Sequence, residues 1–558
     1  MLLSFIPVLA TLTLVCATPV VQIEKVTVTG NYNATSRVET FLGLKYGTST
    51  RFRRATSQSY STAGSINATA FGPACPQIKG TNSLAVDYGI YGTSEDCTLL
   101  DIYRPSSIPR GKTLPVLVWL HGGALTQGAS WYYPGAGIVQ ESSRIGLPVI
   151  TVILQYRLAA WGFLGGSDAS ANGAQNLGLY DQKLALEWVQ KNIGAFGGDK
   201  SKVTVFGQSS GAMSIGYHFL NVNQKLFSGA ILQSGSSTSV PALNAEKYQG
   251  NFAALVATVG CSNSSNSFEC LRTVDRDTLI NATNTLFSQP AVYGSRPWGV
   301  TIDGDIIPGS PSVLTAQGKI AKIPFIAGNV KDEGTVFVKP QTIETDDDLL
   351  TFLEKDYLNR GASFFQNTTS IALLKLLYPN IPALGSPFDT GNTTFFGAQF
   401  KRAAAIYGGT SGDQPLHMEI SSPISKDIHF QWARRNFLKS AGSKGINSWS
   451  YILSQISPAN AAWQGVYHTT EIPFVFVKYT PADGQLYTLS QQILAYWVSF
   501  AYNRDPAYKT NPTWEKYSKA GRNINFLAAQ TSLQRDDFRT LGINFIGSVA
   551  GQFLESPN

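Results

Sequence analysis

The strongest chemical signal in the chain is a serine that lies between two glycines, directly after a β-branched segment. Residues 203–206 read Val-Thr-Val-Phe, residues 207–211 read Gly-Gln-Ser-Ser-Gly, and a helix-compatible stretch follows. A strand, this sharp turn and a helix form a nucleophile elbow, in which the glycines keep neighbouring side chains from colliding. We therefore predict that Ser209 is a nucleophile whose hydroxyl group points into a cleft.

A serine hydroxyl becomes a good nucleophile only when a base takes its proton. The chain has five histidines. Four of them have a structural explanation or no supporting context: His121 in a Gly-rich loop, core-facing His218 on the helix after the elbow, His417, and His429 in a helical stretch. His468 lies in a loop beyond a predicted strand at 448–453, from which it can reach the serine. We therefore predict His468 as the base.

The third group expected is a carboxylate that holds the imidazole in one tautomer and stabilises its charged form. On such a fold the acid lies between the serine and the histidine in the chain, beyond a strand. Residues 323–327 predict a strand of this kind, and Asp332 and Glu333 follow it. Spacing does not decide between these two carboxylates. Asp303 and Asp305 lie in a turn-like Asp-Gly-Asp, which we interpret as structural.

A second Gly-rich loop, Trp-Leu-His-Gly-Gly-Ala-Leu at 119–125, follows another predicted strand. Its small residues let the backbone approach a substrate carbonyl, so its amides are candidates for an oxyanion hole. Each such donor can stabilise the transition state by roughly 3 kcal/mol. A nucleophile, a base, an acid and backbone donors together predict acyl transfer.

The elements that must position these groups are short apolar runs without polar alternation, which predict buried parallel strands. They lie at 114–120, 148–154, 203–206, 229–232, 323–327 and 448–453. Helix patterns lie between some of them, for example at 181–191, and this alternation predicts a mostly parallel sheet flanked by helices. We expect an α/β fold in one domain, 18–558, with a cap-like helical insertion at about 335–445.

The beginning of the chain and its cysteines predict secretion. Residues 1–17 are apolar and end in Val-Cys-Ala, which predicts a signal peptide cut after Ala17, with an uncleaved anchor as the alternative. Four cysteines remain, and three pairings are open to them, of which sequential pairing is the simplest: Cys75, Cys97, Cys261 and Cys270. Six glycosylation sequons also indicate secretion: Asn33, Asn67, Asn263, Asn281, Asn367 and Asn392.

Charge and composition exclude some partners. The formal net charge is +7, but the basic residues are scattered and form no run, so we expect no nucleic-acid partner. No cluster of histidine and cysteine has the spacing of metal ligands, and the predicted acyl transfer needs neither a metal nor an organic cofactor. The predicted partner is a small-molecule or lipid ester.

A series of ordered motifs covers nearly the whole chain after residue 17. They are Ser-Glu-Asp-Cys at 94–97, His-Gly-Gly-Ala at 121–124, Gln-Tyr-Arg at 155–157, Asn-Leu-Gly-Leu-Tyr-Asp-Gln at 176–182, Phe-Gly-Gly-Asp at 196–199, the elbow, Gln-Ser-Gly at 233–235, Asp-Glu-Gly-Thr at 332–335 and Tyr-His-Thr-Thr-Glu at 467–471. Together they resemble the type-B carboxylesterase/lipase family, the cholinesterase-like branch of the α/β-hydrolases. The likeness is greatest to fungal secreted lipases, sterol esterases and carboxylic ester hydrolases.

This resemblance implies an α/β-hydrolase fold and a secreted, cofactor-free enzyme that hydrolyses carboxylic esters and degrades lipids. It favours Glu333 over Asp332 as the acid. The site residues that it implies are the triad Ser209, Glu333 and His468, the oxyanion amides of Gly123, Ala124 and Ser210, and the disulfides Cys75–Cys97 and Cys261–Cys270.

The chain departs from the family pattern at two positions of the site. Gln208 replaces the usual glutamate before the nucleophile, which removes a buried charge, and we expect it to change the pH profile rather than abolish activity. Ala124 replaces a third glycine in the oxyanion loop. Because alanine keeps its amide, we expect the oxyanion hole to survive.

The loop between Cys75 and Cys97 matches the position of the family's lid and is short. We expect weak interfacial activation, transient contact with a lipid interface, and an acyl site open to medium or long esters. The alternative is that the apolar residues of the loop only pack against the body: Leu84, Ala85, Val86, Tyr88, Ile90 and Tyr91. Two other functions remain open, an acyltransferase with the same triad and a non-catalytic, cholinesterase-like binding protein.

Overall fold

The computed structural model describes residues 18–78, 91–288, 297–338, 343–357, 367–408, 429–509, 511–517 and 521–549. The predicted signal peptide, His417 and most of the predicted lid lie outside these residues. Tyr91, at the end of that lid, is described, and its ring contacts Phe71 and Trp131 with centroid distances of 5.4 and 5.1 Å.

The described residues form an eleven-stranded central sheet whose seven middle strands run parallel to one another. The remaining four strands, at the two edges, pair antiparallel with their neighbours. The order across the sheet is Ser532–Arg535, Arg522–Phe526, Ser448–Leu453, Phe325–Val330, Gly229–Gln233, Gly198–Gln208, Leu114–Leu120, Ile150–Leu154, Leu99–Pro105, Val38–Lys45 and Asn31–Asn33. This sheet confirms the predicted α/β architecture.

The buried central parts of the middle strands are largely apolar because both faces of the sheet are covered. Every residue of Leu114–Leu120 is buried. Val116 and Val118 pack into the core on one face, and Leu117 and Trp119 pack into the core on the other. Since both sets of side chains are apolar, the strand carries no polar alternation.

Helices connect and flank the strands. The α-helices that precede strand Gly229–Gln233 in the chain are Ala136–Arg144, Ala159–Phe163, Ser167–Ala171, Leu177–Asn192 and Ser210–His218. The later ones are Gln249–Thr258, Ser267–Thr273, Arg276–Ser288, Pro311–Ala316, Asp346–Tyr357, Thr368–Leu377, Phe400–Gly408, Gln431–Ser443, Ile472–Val475, Gln485–Asn503 and Thr540–Ser548. Two small sheets lie apart from the central one: Val20–Ile23 with Val26–Thr29 and Gly64–Asn67, and Gly47–Thr48 with Thr56–Ser57.

All six predicted strands are present, although several ends differ. The strand predicted at 323–327 is Phe325–Val330, since Pro324 has no amide hydrogen to donate to the ladder. The strand predicted at 203–206 extends over Gly198–Gln208, with an irregular register between Gly198 and Val203. The helix predicted at 181–191 lies within a longer helix that begins at residue 177.

The segment predicted as a cap-like insertion, about 335–445, is rich in helix where it is described. The prediction is wrong for the last helix of this segment, Gln431–Ser443, because this helix belongs to the layer that flanks the sheet. Buried Arg434 of this helix donates hydrogen bonds to Asn329 Oδ1 at 2.8 Å and to Ser450 Oγ at 2.5 Å, and both acceptors lie on middle strands.

The four cysteines are joined sequentially, Cys75 to Cys97 and Cys261 to Cys270. The asparagines of all six sequons have exposed side chains: Asn33, Asn67, Asn263, Asn281, Asn367 and Asn392. In the part of the chain that the structure describes, no helix has the length and hydropathy needed to cross a bilayer.

Candidate active site

The predicted nucleophile lies in a strained turn at the carboxyl end of a middle strand. The strand ends at Gln208, the helix begins at Ser210, and Ser209 between them has φ 57° and ψ −127°. A Cβ atom on Gly207 would lie 2.7 Å from the carbonyl oxygen of Leu120, and one on Gly211 would overlap that oxygen. The turn therefore requires both glycines, and it leaves Ser209 partly exposed.

The Gly-rich loop after Leu114–Leu120 lies against this elbow, with the Leu125 amide donating a hydrogen bond to Ser210 Oγ at 3.2 Å. Within the described residues, the amides of Gly123 and Ala124 donate no hydrogen bond. The amide of Ser210 is the first of its helix, where helical amides have no intrahelical acceptor. Three amides without partners among the described residues thus lie in the elbow and in the loop that contacts it.

The predicted base contacts the predicted acid. His468 Nδ1 donates to Glu333 Oε2 at 2.5 Å, and both side chains are buried. The other carboxylate oxygen, Oε1, accepts from Asn329 Nδ2 at 3.1 Å and from the Val330 amide at 2.9 Å. These donors fix the carboxylate, which in turn holds the imidazole with its proton on Nδ1 and its lone pair on Nε2.

Asp332 has a different set of partners, although it precedes Glu333 directly. Its carboxylate accepts from Ser386 Oγ, from the Phe388 amide and from the Val466 amide, each at 2.9 Å. Burial raises the pKa of this carboxyl group. Asp332 therefore ties the acid loop to the loop that carries His468, whereas Glu333 contacts the imidazole itself.

The other described histidines have structural partners. His121 is buried and stacks on Tyr156, and burial lowers its pKa to about 4. His218 is buried on the helix after the elbow, its Nε2 lies 3.0 Å from Gln182 Oε1, and burial lowers its pKa to about 4. His429 lies in a turn just before the helix rather than in it, with Nδ1 2.7 Å from the Ser239 carbonyl oxygen.

Three contacts of His468 were not predicted. The amide nitrogen of Gln208 lies 3.1 Å from His468 Nε2. Because Nδ1 carries the proton, Gln208 donates to the Nε2 lone pair, which is the atom that a serine nucleophile would use. The rings of Phe337 and Phe430 flank the imidazole with centroid distances of 5.1 and 4.8 Å.

A second buried carboxylate, Glu471, lies three residues after His468. Burial, followed by the charge of Glu333, raises its pKa to about 7. Its Oε1 is 3.5 Å from Gln233 Nε2, and its Oε2 has no hydrogen-bond partner among the described residues. In the sequence, only its place in the Tyr-His-Thr-Thr-Glu motif indicated that Glu471 belongs to the site.

Comparison with known proteins gives the context of this site. Residues 17–545 match the model of the carboxylesterase family. Secreted lipase 1 of Botryotinia fuckeliana (strain B05.10) is 34% identical to the chain, and the alignment covers 98% of each protein. The crystal structure of Aspergillus niger EstA has a TM-score of 0.80 at 25% identity and covers 96% of this chain and 99% of its own.

Another similar protein, from Byssochlamys spectabilis, carries the name Inactive carboxylesterase-like protein VdtD. It is 30% identical, and the alignment covers 84% of this chain and 81% of that protein. The family model spans almost the entire chain, and the structure has the same fold as EstA. The chain belongs to the carboxylesterase family and is a carboxylic ester hydrolase.

Proposed function

We propose that the protein is a secreted serine esterase that hydrolyses medium-chain or long-chain carboxylic esters through an acyl-enzyme on Ser209. The observation that carries this proposal is the 2.5 Å hydrogen bond between His468 Nδ1 and Glu333 Oε2. His468 Nε2 in turn contacts Gln208, the residue before the strained and partly exposed elbow serine. An oriented imidazole next to a serine is the arrangement that activates a hydroxyl nucleophile.

The mechanism has two halves. Ser209 attacks the ester carbonyl while His468 Nε2 takes its proton, and Glu333 stabilises the imidazolium. The amides of Gly123, Ala124 and Ser210 hold the oxyanion of the tetrahedral intermediate. The imidazolium then gives its proton to the leaving alcohol. Water attacks the acyl-enzyme with the same base, which releases the acid and restores the serine.

The surroundings of His468 favour an apolar substrate. Phe337 and Phe430 flank the imidazole, so apolar rings line the histidine from which the leaving alcohol receives its proton. An apolar wall gains free energy by burying hydrocarbon, at about 25 cal/mol per Å². We infer a preference for lipid-like esters over small polar ones.

The direct test is hydrolysis of p-nitrophenyl esters from acetate to palmitate by the purified protein. We expect turnover with an optimum at medium or long acyl chains. An optimum at acetate would contradict the proposed acyl preference. No turnover on any ester would contradict the catalytic proposal and would favour a non-catalytic role, as the name of one relative suggests for that protein.

A second assay tests our expectation of weak interfacial activation. Activity on a medium-chain triglyceride is measured below and above its solubility limit, with and without added vesicles. We expect a smooth increase of rate with substrate concentration and transient rather than lasting association with the vesicles. A sharp increase in rate at the solubility limit would contradict the expectation of a small lid.

Gln208→Glu is expected to move the acidic limb of the kcat/KM–pH profile to higher pH by about one unit. Glutamine donates to the Nε2 lone pair of neutral His468, whereas an ionised glutamate cannot donate and stabilises the protonated imidazole. A protonated imidazole is no base, so activity is lost at a higher pH. Gln208→Met, which removes the donor without adding charge, is the control, and an unchanged profile in Gln208→Glu would contradict the argument.

We also propose that residues 1–17 are a signal peptide, that 18–558 form one catalytic domain, and that the protein is extracellular and glycosylated. Two disulfides, six exposed sequon asparagines and similarity to a protein named Secreted lipase 1 support this proposal. Oxidised cysteine pairs are typical of extracellular proteins.

A further inference from the structure

The loop that carries two of the proposed oxyanion donors has an unusual backbone. Three consecutive residues have positive φ: Gly123 at 110°, Ala124 at 57° and Leu125 at 62°. Glycine adopts this region freely, but alanine and leucine do so only at a cost in free energy. Such a conformation persists only when the surroundings hold it, which raises the question of what holds this loop.

Two hydrogen bonds, one at each end, hold this loop to its neighbours. At the far end, the Leu125 amide donates to Ser210 Oγ at 3.2 Å. The Ser210 hydroxyl lies close to the Tyr156 phenol. At the near end, the Tyr156 phenol donates to the carbonyl oxygen of His121 at 2.6 Å. We call the two hydroxyl groups of Ser210 and Tyr156 the hydroxyl bridge.

The two hydroxyl groups of the bridge are buried. Ser210, Tyr156 and His121 are each at most 2% exposed, so water does not replace a lost partner readily. Burial raises the pKa of Tyr156 far above its usual range, and the phenol therefore stays protonated as a donor. The Tyr156 ring also stacks on His121, with centroids 4.4 Å apart and planes 15° apart.

We propose that Ser210 is a positioning residue of the ester hydrolase, whose side-chain hydroxyl, together with Tyr156, holds both ends of loop 121–125 so that the loop amides face the oxyanion. This inference rests on the proposed function of Ser209. Ser210 then has two separate roles, because its backbone amide contacts the oxyanion while its side chain acts through the loop.

The orientation of the loop amides determines which kinetic constant depends on the hydroxyl bridge. Without the Ser210 hydroxyl, the Leu125 amide has no acceptor, and the loop can relax toward negative φ and turn its amides away. An oxyanion donor acts on the transition state more than on the bound ester. Loss of the bridge therefore lowers kcat and leaves KM nearly unchanged.

The test compares the wild type with Ser210→Ala, Tyr156→Phe and the double variant on one p-nitrophenyl ester. The second readout is the inhibition constant of a long-chain trifluoromethyl ketone, whose adduct with a serine carries an oxyanion. We expect each single variant to lose about tenfold in kcat and to bind the ketone about tenfold more weakly, with KM within about twofold of the wild type. The double variant should lose no more than either single one, because release of either end already lets the loop relax.

Ser214→Ala is the matched control. Ser214 lies one turn further along the same helix, where its hydroxyl donates to the Ser210 carbonyl oxygen at 2.8 Å, outside the bridge. It should keep wild-type kcat and ketone affinity, which would show that hydroxyl loss in this helix is not itself harmful. Melting temperatures of all variants check the fold, and Tyr156→Phe tests the bridge should Ser210→Ala fail to fold.

The outcomes separate the two proposals. If the wild type hydrolyses esters through Ser209 while Ser210→Ala and Tyr156→Phe retain wild-type kcat and ketone affinity, the bridge has no positioning role. Losses that multiply in the double variant would also overturn it, since the two hydroxyls would then act independently. If the wild type hydrolyses no ester or Ser209→Ala stays active, the proposed function itself fails.

Discussion

Ser209→Ala is expected to lower kcat for p-nitrophenyl butyrate by about 10⁴-fold or more. The substitution removes only the oxygen that attacks the carbonyl, and His468 and Glu333 keep their hydrogen bond. Elbow strain also decreases little, because alanine at φ 57° meets the same steric cost as serine. We therefore expect a folded protein that still binds ester but forms no acyl-enzyme.

Ser214→Ala serves as the matched serine-to-alanine control for this experiment. Initial rates of both variants and of the wild type are measured at saturating substrate, and circular dichroism confirms that each is folded. Activity in Ser209→Ala within about tenfold of the wild type would contradict the assignment, since it would require a different nucleophile.

Glu333→Gln is expected to lower kcat by about 10³- to 10⁴-fold, with a structure close to that of the wild type. Two donors, Asn329 Nδ2 and the Val330 amide, face Oε1 and would keep the amide oxygen of the glutamine at that position. The amide NH₂ would then face His468 Nδ1 and force the imidazole into the other tautomer. Nε2 would carry the proton and could not act as a base.

Asp332→Asn makes the same chemical change one residue earlier and separates this explanation from general damage. Asp332 holds the Ser386, Phe388 and Val466 segments together, so its loss should lower the melting temperature. Because it does not contact the imidazole, kcat of the folded variant should stay within about tenfold of the wild type. Equal losses of kcat in both variants would contradict the assignment of Glu333 as the acid.

The sequence predicted the parts of the fold that are apolar on both faces. Buried strands such as Leu114–Leu120 and Ser448–Leu453 are mostly apolar, and their ends were predicted correctly. The antiparallel strands Val38–Lys45 and Leu99–Pro105 were not predicted. They contain Glu39, Arg104 and other polar residues, whose partners on the neighbouring strand are visible only in three dimensions.

The candidate site was predictable where its chemistry is local. The elbow around Ser209 depends on neighbouring residues, and the structure has the predicted strand, turn and helix. The choice between Asp332 and Glu333 depends on which side chain turns toward the histidine loop. Spacing alone could not decide it, because adjacent residues differ only in direction.

Contacts between side chains of distant segments could not be predicted from the sequence. Gln208 and His468 are 260 residues apart, and Leu125 and Ser210 are 85 residues apart. Each contact forms because the carboxyl ends of parallel strands meet at one edge of the sheet. The sequence indicated that these loops would meet, but not which side chain would donate to which.

The most direct measurement of the central claim is covalent labelling by a fluorophosphonate, followed by mass spectrometry. Trypsin releases the elbow as peptide 203–225, and fragmentation of that peptide distinguishes Ser209 from the neighbouring serines. We predict one phosphonyl group per chain, on Ser209, with no labelling of Ser209→Ala and parallel loss of esterase activity. A label on another residue, or full activity in protein labelled at Ser209, would contradict the account.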